Sequence, residues 1–291
     1  MGFDDLIRVK NQLVRSCMSE FFGTLVLIFV AHSLGGSYST VSMGLPSDPS
    51  AKLMGITFGV GLAAFVALSA TMQVSGGHIN PAITVAAALM GHFPWAHVVP
   101  YLVAQHLAGF IAGALLYLTH YDAIDMVLER YNGTEMGYKE TAGFFGGGPA
   151  KHGSNMGCFV NSFFATAVFL IAAAACIDMK NMRAPKWYWS LGVALGLTVS
   201  LAAFAGSGGP SVNPAADLPC RLFAHIAGWG DVIWKPGNGH YWYLSGIIAP
   251  HLGAAFGFYF YRVLIGAHVP SENQEDAVDL TELKKLNKVD A

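Results

Sequence analysis

Charged residues are scarce in this sequence. Only 12% of its 291 residues are Asp, Glu, Lys or Arg, about half of the 25% that is typical of soluble domains. Hydrophobic residues make up 54%, and the mean hydropathy is +0.46. This composition excludes an ordinary soluble domain, and it excludes a disordered chain, which would be polar and charged. The net charge of −2 gives no basic surface for nucleic acid.

Cysteine is also scarce, and its four copies are scattered along the chain. They are Cys17, Cys158, Cys176 and Cys220. No CxxC pair occurs, so neither a disulfide framework nor a zinc site is indicated. No nucleophile–base–acid set converges in the sequence either. We therefore expect no metal, no cofactor and no enzymatic activity.

Long uncharged runs occupy most of the chain. Residues 53–121 contain no Asp, Glu, Lys or Arg, and shorter uncharged runs cover residues 152–177, 187–216 and 236–261. A membrane-spanning helix needs about 20 apolar residues, so each shorter run fits one span and the longest must hold more than one. The predicted spans are residues 16–36, 53–73, 97–119, 156–177, 188–206 and 241–265.

Two short motifs interrupt these runs. They are Asn80-Pro81-Ala82 and Asn213-Pro214-Ala215. Asparagine suits a helix N-cap and proline suits the first helical position. Short helices are therefore predicted over residues 81–90 and from Asn213 towards Ala224. About ten residues cannot cross a bilayer, so both are expected to be re-entrant half-helices.

The two halves of the chain repeat. Each half contains two spans, an Asn-Pro-Ala half-helix and a third span, and residues 19–24 resemble residues 161–166. Because each half has an odd number of spans, the halves insert with opposite orientation and their half-helices meet near the midplane. The predicted fold is an all-α membrane protein with six transmembrane helices, two re-entrant half-helices and inverted repeats over about 14–120 and 156–266.

Lysine and arginine indicate the orientation. They cluster before the first span, between the fourth and fifth spans, and after the last span. The positive-inside rule places these segments in the cytoplasm. Residues 1–13 and the polar tail at 269–291 are then cytoplasmic, residues 14–268 form the transmembrane domain, and the loop at 121–155 is extracellular. Asn132 in that loop begins an N-glycosylation sequon, and we expect a multi-pass protein of the plasma membrane.

With paired Asn-Pro-Ala motifs among six spans, the chain resembles the aquaporins over residues 14–268. Within that family it is most similar to the glycerol-conducting branch, the aquaglyceroporins, through Asp217, Arg221 and Pro250. Leu201 stands where water-selective members have a histidine. The resemblance implies a passive channel for glycerol, water and other small neutral solutes, built as a homotetramer in the bilayer. It also implies that the two motifs line the pore.

The outer selectivity filter departs from this resemblance. The family usually has an arginine directly after the second motif, where this chain has Ala216. The offsets from the motifs assign Val60, Leu201 and Pro210 to the remaining filter positions, so the predicted filter has no charge. Arg221 cannot replace the arginine, because five residues along a helix give about 7.5 Å of rise and about 140° of rotation.

Glu20 and His78, which both precede the first motif, are candidates for a role at the re-entrant loop. Glu20 is the one acid inside a predicted span. The resemblance implies that it accepts hydrogen bonds from the re-entrant loop of the other half, whereas its counterpart in the fourth span is Ser162. His78 matches the family's loop histidine and is either a pore-side gate or a loop anchor.

The sequence also permits two other functional classes. One is a scaffold or junctional membrane protein that keeps the fold but conducts little or nothing, which the altered filter permits. The other is an ion channel or coupled transporter, since inverted repeats also build those. Coupling normally needs intramembrane ionisable pairs, and the spans offer only Glu20 and scattered histidines.

Overall fold

The structure is a computed structural model that describes residues 2–44 and 48–270. Residues 271–291, almost all of the predicted polar tail, lie outside the described residues. In chain order the helices are α1 (Phe3–Ile7), α2 (Gln12–Gly44), α3 (Pro49–Ser75), α4 (Pro81–Leu89), α5 (Trp95–Thr119), α6 (Tyr121–Arg130), α7 (Glu135–Ala142), α8 (Asn155–Ile177), α9 (Lys186–Ala203), α10 (Pro214–Ala224), α11 (Tyr241–Tyr243) and α12 (Ala249–Tyr261). π-Helical turns join α11 to α12 and extend α12 to Gly266.

Membrane-length helices occupy the predicted spans. Among the described residues, five segments are long and apolar enough to cross a membrane: Gln12–Ser39, Pro49–Ser75, Trp95–Thr119, Asn155–Ile177 and Tyr241–Gly266. The remaining predicted span, the fifth at 188–206, forms α9, whose 18 residues reach about 27 Å at 1.5 Å per residue. It ends at Ala203 rather than at residue 206, because the glycine-rich segment 206–209 follows.

Both Asn-Pro-Ala motifs begin short helices, as predicted. The side chain of Asn80 caps α4 by accepting a hydrogen bond from the Ala82 N–H at 2.9 Å. Asn213 caps α10 in the same way through the Ala215 N–H at 3.1 Å. The helices contain 9 and 11 residues, so neither is long enough to cross a bilayer.

The packing follows the two sequence halves. In the first half α2 packs against α3 and α5, and in the second half α8 packs against α9 and α12. Each half-helix also contacts the last span of the other half, since α4 packs on α12 and α10 packs on α5. Gly109 makes the second contact possible, because a Cβ there would lie 2.2 Å from the Ala215 carbonyl oxygen. The half-helices are therefore held in the interior by both repeats.

The segment between the halves contains two helices, α6 and α7, where the sequence predicted only a loop. Neither helix has a side-chain hydrogen bond that caps its start, and both are too polar to form a long apolar run. Glu135 of α7 contacts Lys235 at 2.8 Å and Lys139 at 3.1 Å. The hydrogen bond from Lys235, followed by that from Lys139, lowers the pKa of the Glu135 carboxyl group. We call the end of the bundle that carries residues 120–153 the connector end.

Candidate functional site

A cavity of about 520 Å³ runs between the two halves. Its apolar wall comes from one face of α3 and one face of α9, where residues recur every four positions. These residues are Val60, Ala64, Leu68, Val193, Leu197 and Leu201. The backbone segments 77–80 and 209–213, which lead into the half-helices, also line the cavity. One wall is therefore apolar, and the segments across from it carry backbone and amide polar groups.

The two motif asparagines are linked reciprocally across the halves. Asn80 Nδ2 donates to the Val212 carbonyl oxygen at 2.8 Å, and Asn213 Nδ2 donates to the Ile79 carbonyl oxygen at 3.0 Å. Both asparagines line the cavity and both are nearly buried. Each Nδ2 carries two hydrogens, so one remains after the bond to the opposite half. A pair of amide donors is thus available at the junction of the half-helices.

Ile79 has a strained backbone at this junction. Its φ of 43° lies in the left-handed region, which is unfavourable for a β-branched residue and costs about 1–3 kcal/mol. The Ile79 N–H donates to Glu20 Oε2 at 2.6 Å, while its carbonyl accepts from Asn213. Bonds from two elements thus hold the conformation that aims this carbonyl at the other half.

The four positions assigned to the filter all line the cavity. They are Val60, Leu201, Pro210 and Ala216. None of these side chains carries a charge or a hydrogen-bond donor. The structure therefore brings the predicted filter residues to one cavity, whose selectivity role remains a proposal.

Arg221 lies away from the cavity wall. It is fully buried and forms a bidentate ion pair with Asp217, with Nε–Oδ1 at 2.5 Å and Nη2–Oδ2 at 3.0 Å. It also donates to the carbonyl oxygens of Ile233, at 2.6 Å, and Gly147. These bonds engage the guanidinium group and connect α10 to Gly147 of the connector end. Pro250, the third glycerol-branch position, is buried in the first turn of α12.

Glu20 anchors the re-entrant loop of its own half, which corrects the expectation that it would bind the loop of the other half. Its carboxylate accepts from the N–H of His78 at 2.9 Å, from that of Ile79 at 2.6 Å, and from Gln105 Nε2 at 2.8 Å. The loop is within reach because α2 lies directly beside α3, from which the loop emerges. Ser162 makes the corresponding contact in the second half with one bond, accepting from the Ser211 N–H at 3.0 Å.

His78 combines features of both roles considered for it. Its backbone is held by Glu20, and its ring lies edge-on to Phe93 and Tyr101 at centroid distances of 4.7 and 5.5 Å. The ring Nδ1 is 3.2 Å from Thr84 Oγ1, and the residue lines the cavity.

Two polar residues of the site were not predicted. Gln105 bonds both Glu20 and Thr84 Oγ1, the latter at 3.0 Å. His32 lines the cavity near Ala216. A polar residue inside an apolar span was the only signal that could have identified either one. Within the described ranges no group of three or more His, Cys, Asp or Glu could hold a metal ion.

Comparisons with known proteins find similar chains over most of this sequence. The family model described as major intrinsic protein matches residues 8–261. The chain is 32% identical to human aquaporin-10 over 278 residues, covering 94% of this chain and 88% of that protein. It is 31% identical to aquaporin-2 of Milnesium tardigradum, covering 93% and 81%. The solved aquaglyceroporin structure from Plasmodium falciparum superposes with a TM-score of 0.76 at 24% identity, covering 88% of this chain and 98% of that one.

Proposed function

Because the chain belongs to the major intrinsic protein family of passive membrane channels and is similar to its aquaglyceroporin branch, we propose that it conducts glycerol, water and other small neutral solutes. The observation that carries this proposal is the reciprocal Asn80–Asn213 arrangement beside an apolar wall. A polyol carries hydroxyl groups on one side and C–H groups on the other. The amide hydrogens bind the hydroxyl groups, and the α3 and α9 faces contact the C–H groups.

The same arrangement opposes proton conduction. Two donors directed at one solute break a continuous chain of hydrogen-bonded water. The N-termini of α4 and α10 add a positive potential, each worth about half an elementary charge, which disfavours protons and cations. With an uncharged filter at Val60, Leu201, Pro210 and Ala216, the proposed mouth is wide and apolar enough for glycerol.

We further propose the orientation and assembly of the channel. The connector end faces the outside of the plasma membrane, and Asn132, exposed on that end, is glycosylated. The α8–α9 loop with exposed Lys180 and Lys186, and both chain termini, face the cytoplasm. Homotetramerisation follows from the family resemblance, since the apolar outer surface requires lipid or other protomers.

Purified protein in liposomes tests the proposed activity by stopped-flow light scattering with glycerol and with an impermeant osmolyte. The blocking variant is Leu197→Trp, which fills the cavity from α9, where Leu197 is 4% exposed. The matched control is Leu195→Trp on the same helix, where the side chain is 48% exposed and faces outward. Wild type and the control should pass glycerol, and the blocking variant should lose most of that flux. A folded wild type that passes neither glycerol nor water would favour the scaffold alternative.

A further inference from the structure

His32 of α2 occupies an unusual position at the connector end of the cavity. We propose that His32 is a specificity-determining residue whose doubly protonated ring supplies the cation-repelling charge that the filter side chains lack. This inference rests on the proposed channel function and concerns charge selectivity at the same pore.

Both ring nitrogens of His32 face carbonyl oxygens. Nδ1 lies 2.7 Å from the oxygen of Phe144, and Nε2 lies 2.8 Å from the oxygen of Ala216. A carbonyl oxygen only accepts hydrogen bonds, whereas a neutral imidazole has a single N–H donor. The neutral ring would therefore direct a nitrogen lone pair at one of the two oxygens. Only the imidazolium form donates to both.

Two other histidines inside the spans, His106 and His251, make a different contact. His106 Nδ1 is 2.8 Å from the carbonyl oxygen of Leu102, and His251 Nδ1 is 2.8 Å from that of Ile247. Each of these bonds is satisfied by one N–H within the same helix. His32 instead bridges Phe144 of the connector segment and Ala216, the residue after the second motif, so its geometry is specific to the mouth of the cavity.

The charges around His32 leave its own charge uncompensated. On α10, the Asp217 carboxylate is paired with Arg221. On α3, Lys52 lines the same cavity and donates to Ser39 Oγ at 3.2 Å. At the end of α5, the ring of His120 lies against Gly36, one turn beyond His32. The negative charge of Asp217 is neutralised by Arg221, and the other groups named, Lys52 and His120, are basic.

The proposed role distinguishes solutes by charge. The imidazolium of His32 links Phe144 to Ala216 and repels cations at the mouth of the cavity. A neutral solute experiences little of this repulsion, whereas a cation of the same shape experiences all of it.

Urea and guanidinium make a suitable pair of probes, because they are similar in size and shape and differ in charge. Fluxes of both are measured in potential-clamped liposomes, with glycerol flux as the measure of folded channel. The variants are His32→Gln, whose side chain is neutral, and His32→Lys, whose side chain is charged. His106→Gln is the matched control, since it removes a span histidine that does not line the cavity.

In the wild type, in His106→Gln and in His32→Lys, the guanidinium-to-urea flux ratio should be low. In His32→Gln the ratio should be about tenfold or more higher, because the cation-repelling charge is absent. A merely structural role would change both fluxes together and leave the ratio constant. If glycerol passes while the wild-type ratio equals that of His32→Gln, this inference is overturned and the proposed function stands. If the wild type passes no glycerol, the proposed function itself fails, and the inference fails with it.

Discussion

Asn80 and Asn213 each donate a hydrogen bond to the carbonyl that precedes the other: Asn80 to Val212 at 2.8 Å and Asn213 to Ile79 at 3.0 Å. Each asparagine also caps its own half-helix through its side-chain oxygen. One amide therefore fixes the start of a half-helix, joins the two repeats and keeps a hydrogen for a solute. The side-chain oxygen accepts the capping hydrogen bond and the side-chain nitrogen donates to the other half. Only an amide side chain provides both the acceptor and the donor.

Replacing Asn80 by aspartate tests this division of tasks. The carboxylate of Asn80→Asp can still cap α4, but it has no hydrogen to donate and faces the Val212 carbonyl. We expect glycerol flux per folded channel to fall about tenfold or more, and stability to fall by about 1–3 kcal/mol. Liposome flux and thermal unfolding in detergent measure the two effects. Asn155→Asp is the control, since Asn155 donates to the Gly237 carbonyl at 2.8 Å outside the cavity. Its flux per folded channel should match that of the wild type, and an equal loss in both variants would contradict the proposed role of Asn80.

The two loop anchors should differ in strength. Glu20 accepts three hydrogen bonds, whereas Ser162 accepts one from Ser211. We expect Glu20→Gln to lower the thermal midpoint more than Ser162→Ala does, because the glutamine NH₂ group must face a backbone donor that the carboxylate satisfied. Fluorescence-detected size-exclusion chromatography after heating measures both midpoints. A larger loss in Ser162→Ala would show that the second loop depends on its single anchor more than the first depends on three.

The buried ion pair of Arg221 and Asp217 is expected to be structural. Removing one partner leaves a buried charge, which costs about 3–5 kcal/mol. Arg221→Met should therefore destabilise the protein strongly, and Asp217→Asn added to it should recover part of the loss. The urea-to-glycerol flux ratio of the folded double variant should stay near the wild-type value, because Arg221 lies behind the cavity wall and Asp217→Asn keeps the size of the one side chain of the pair that lines the cavity. A large change in that ratio in the folded double variant would instead place this pair in the filter.

Much of this fold could be predicted from the sequence, because the bilayer restricts a chain to few solutions. The uncharged runs indicated the spans within a few residues, and the Asn-Pro pairs indicated both half-helices, since capping chemistry is local. The polar helices α6 and α7 gave no such signal. Contacts between distant residues were harder to predict. That Glu20 binds the loop of its own half, and that His32 reaches Phe144 and Ala216, depends on how helices rotate against each other, which periodicity in one segment does not determine.

The proposed orientation places Asn132 outside the cell and Lys180 and Lys186 in the cytoplasm. Asn132 should carry a glycan when the protein is made in mammalian cells, and Asn132→Gln should remove the corresponding mass on a gel. Cysteines introduced at Lys180 and Lys186, in a background lacking Cys17 as the most exposed native thiol, should react with an impermeant maleimide only after the cells are opened. Labelling of those cysteines on intact cells would reverse the orientation.

The most direct test of the account is to return an arginine to position 216. Ala216→Arg adds both bulk and positive charge at a residue that lines the cavity, and Ala216→Leu adds bulk alone. We expect glycerol flux in liposomes to fall more than water flux in Ala216→Arg, and proton leak to fall in that variant but not in Ala216→Leu. If glycerol and water fluxes both match the wild type in Ala216→Arg, this residue does not line the narrowest part of the pore, and the uncharged filter described here is wrong.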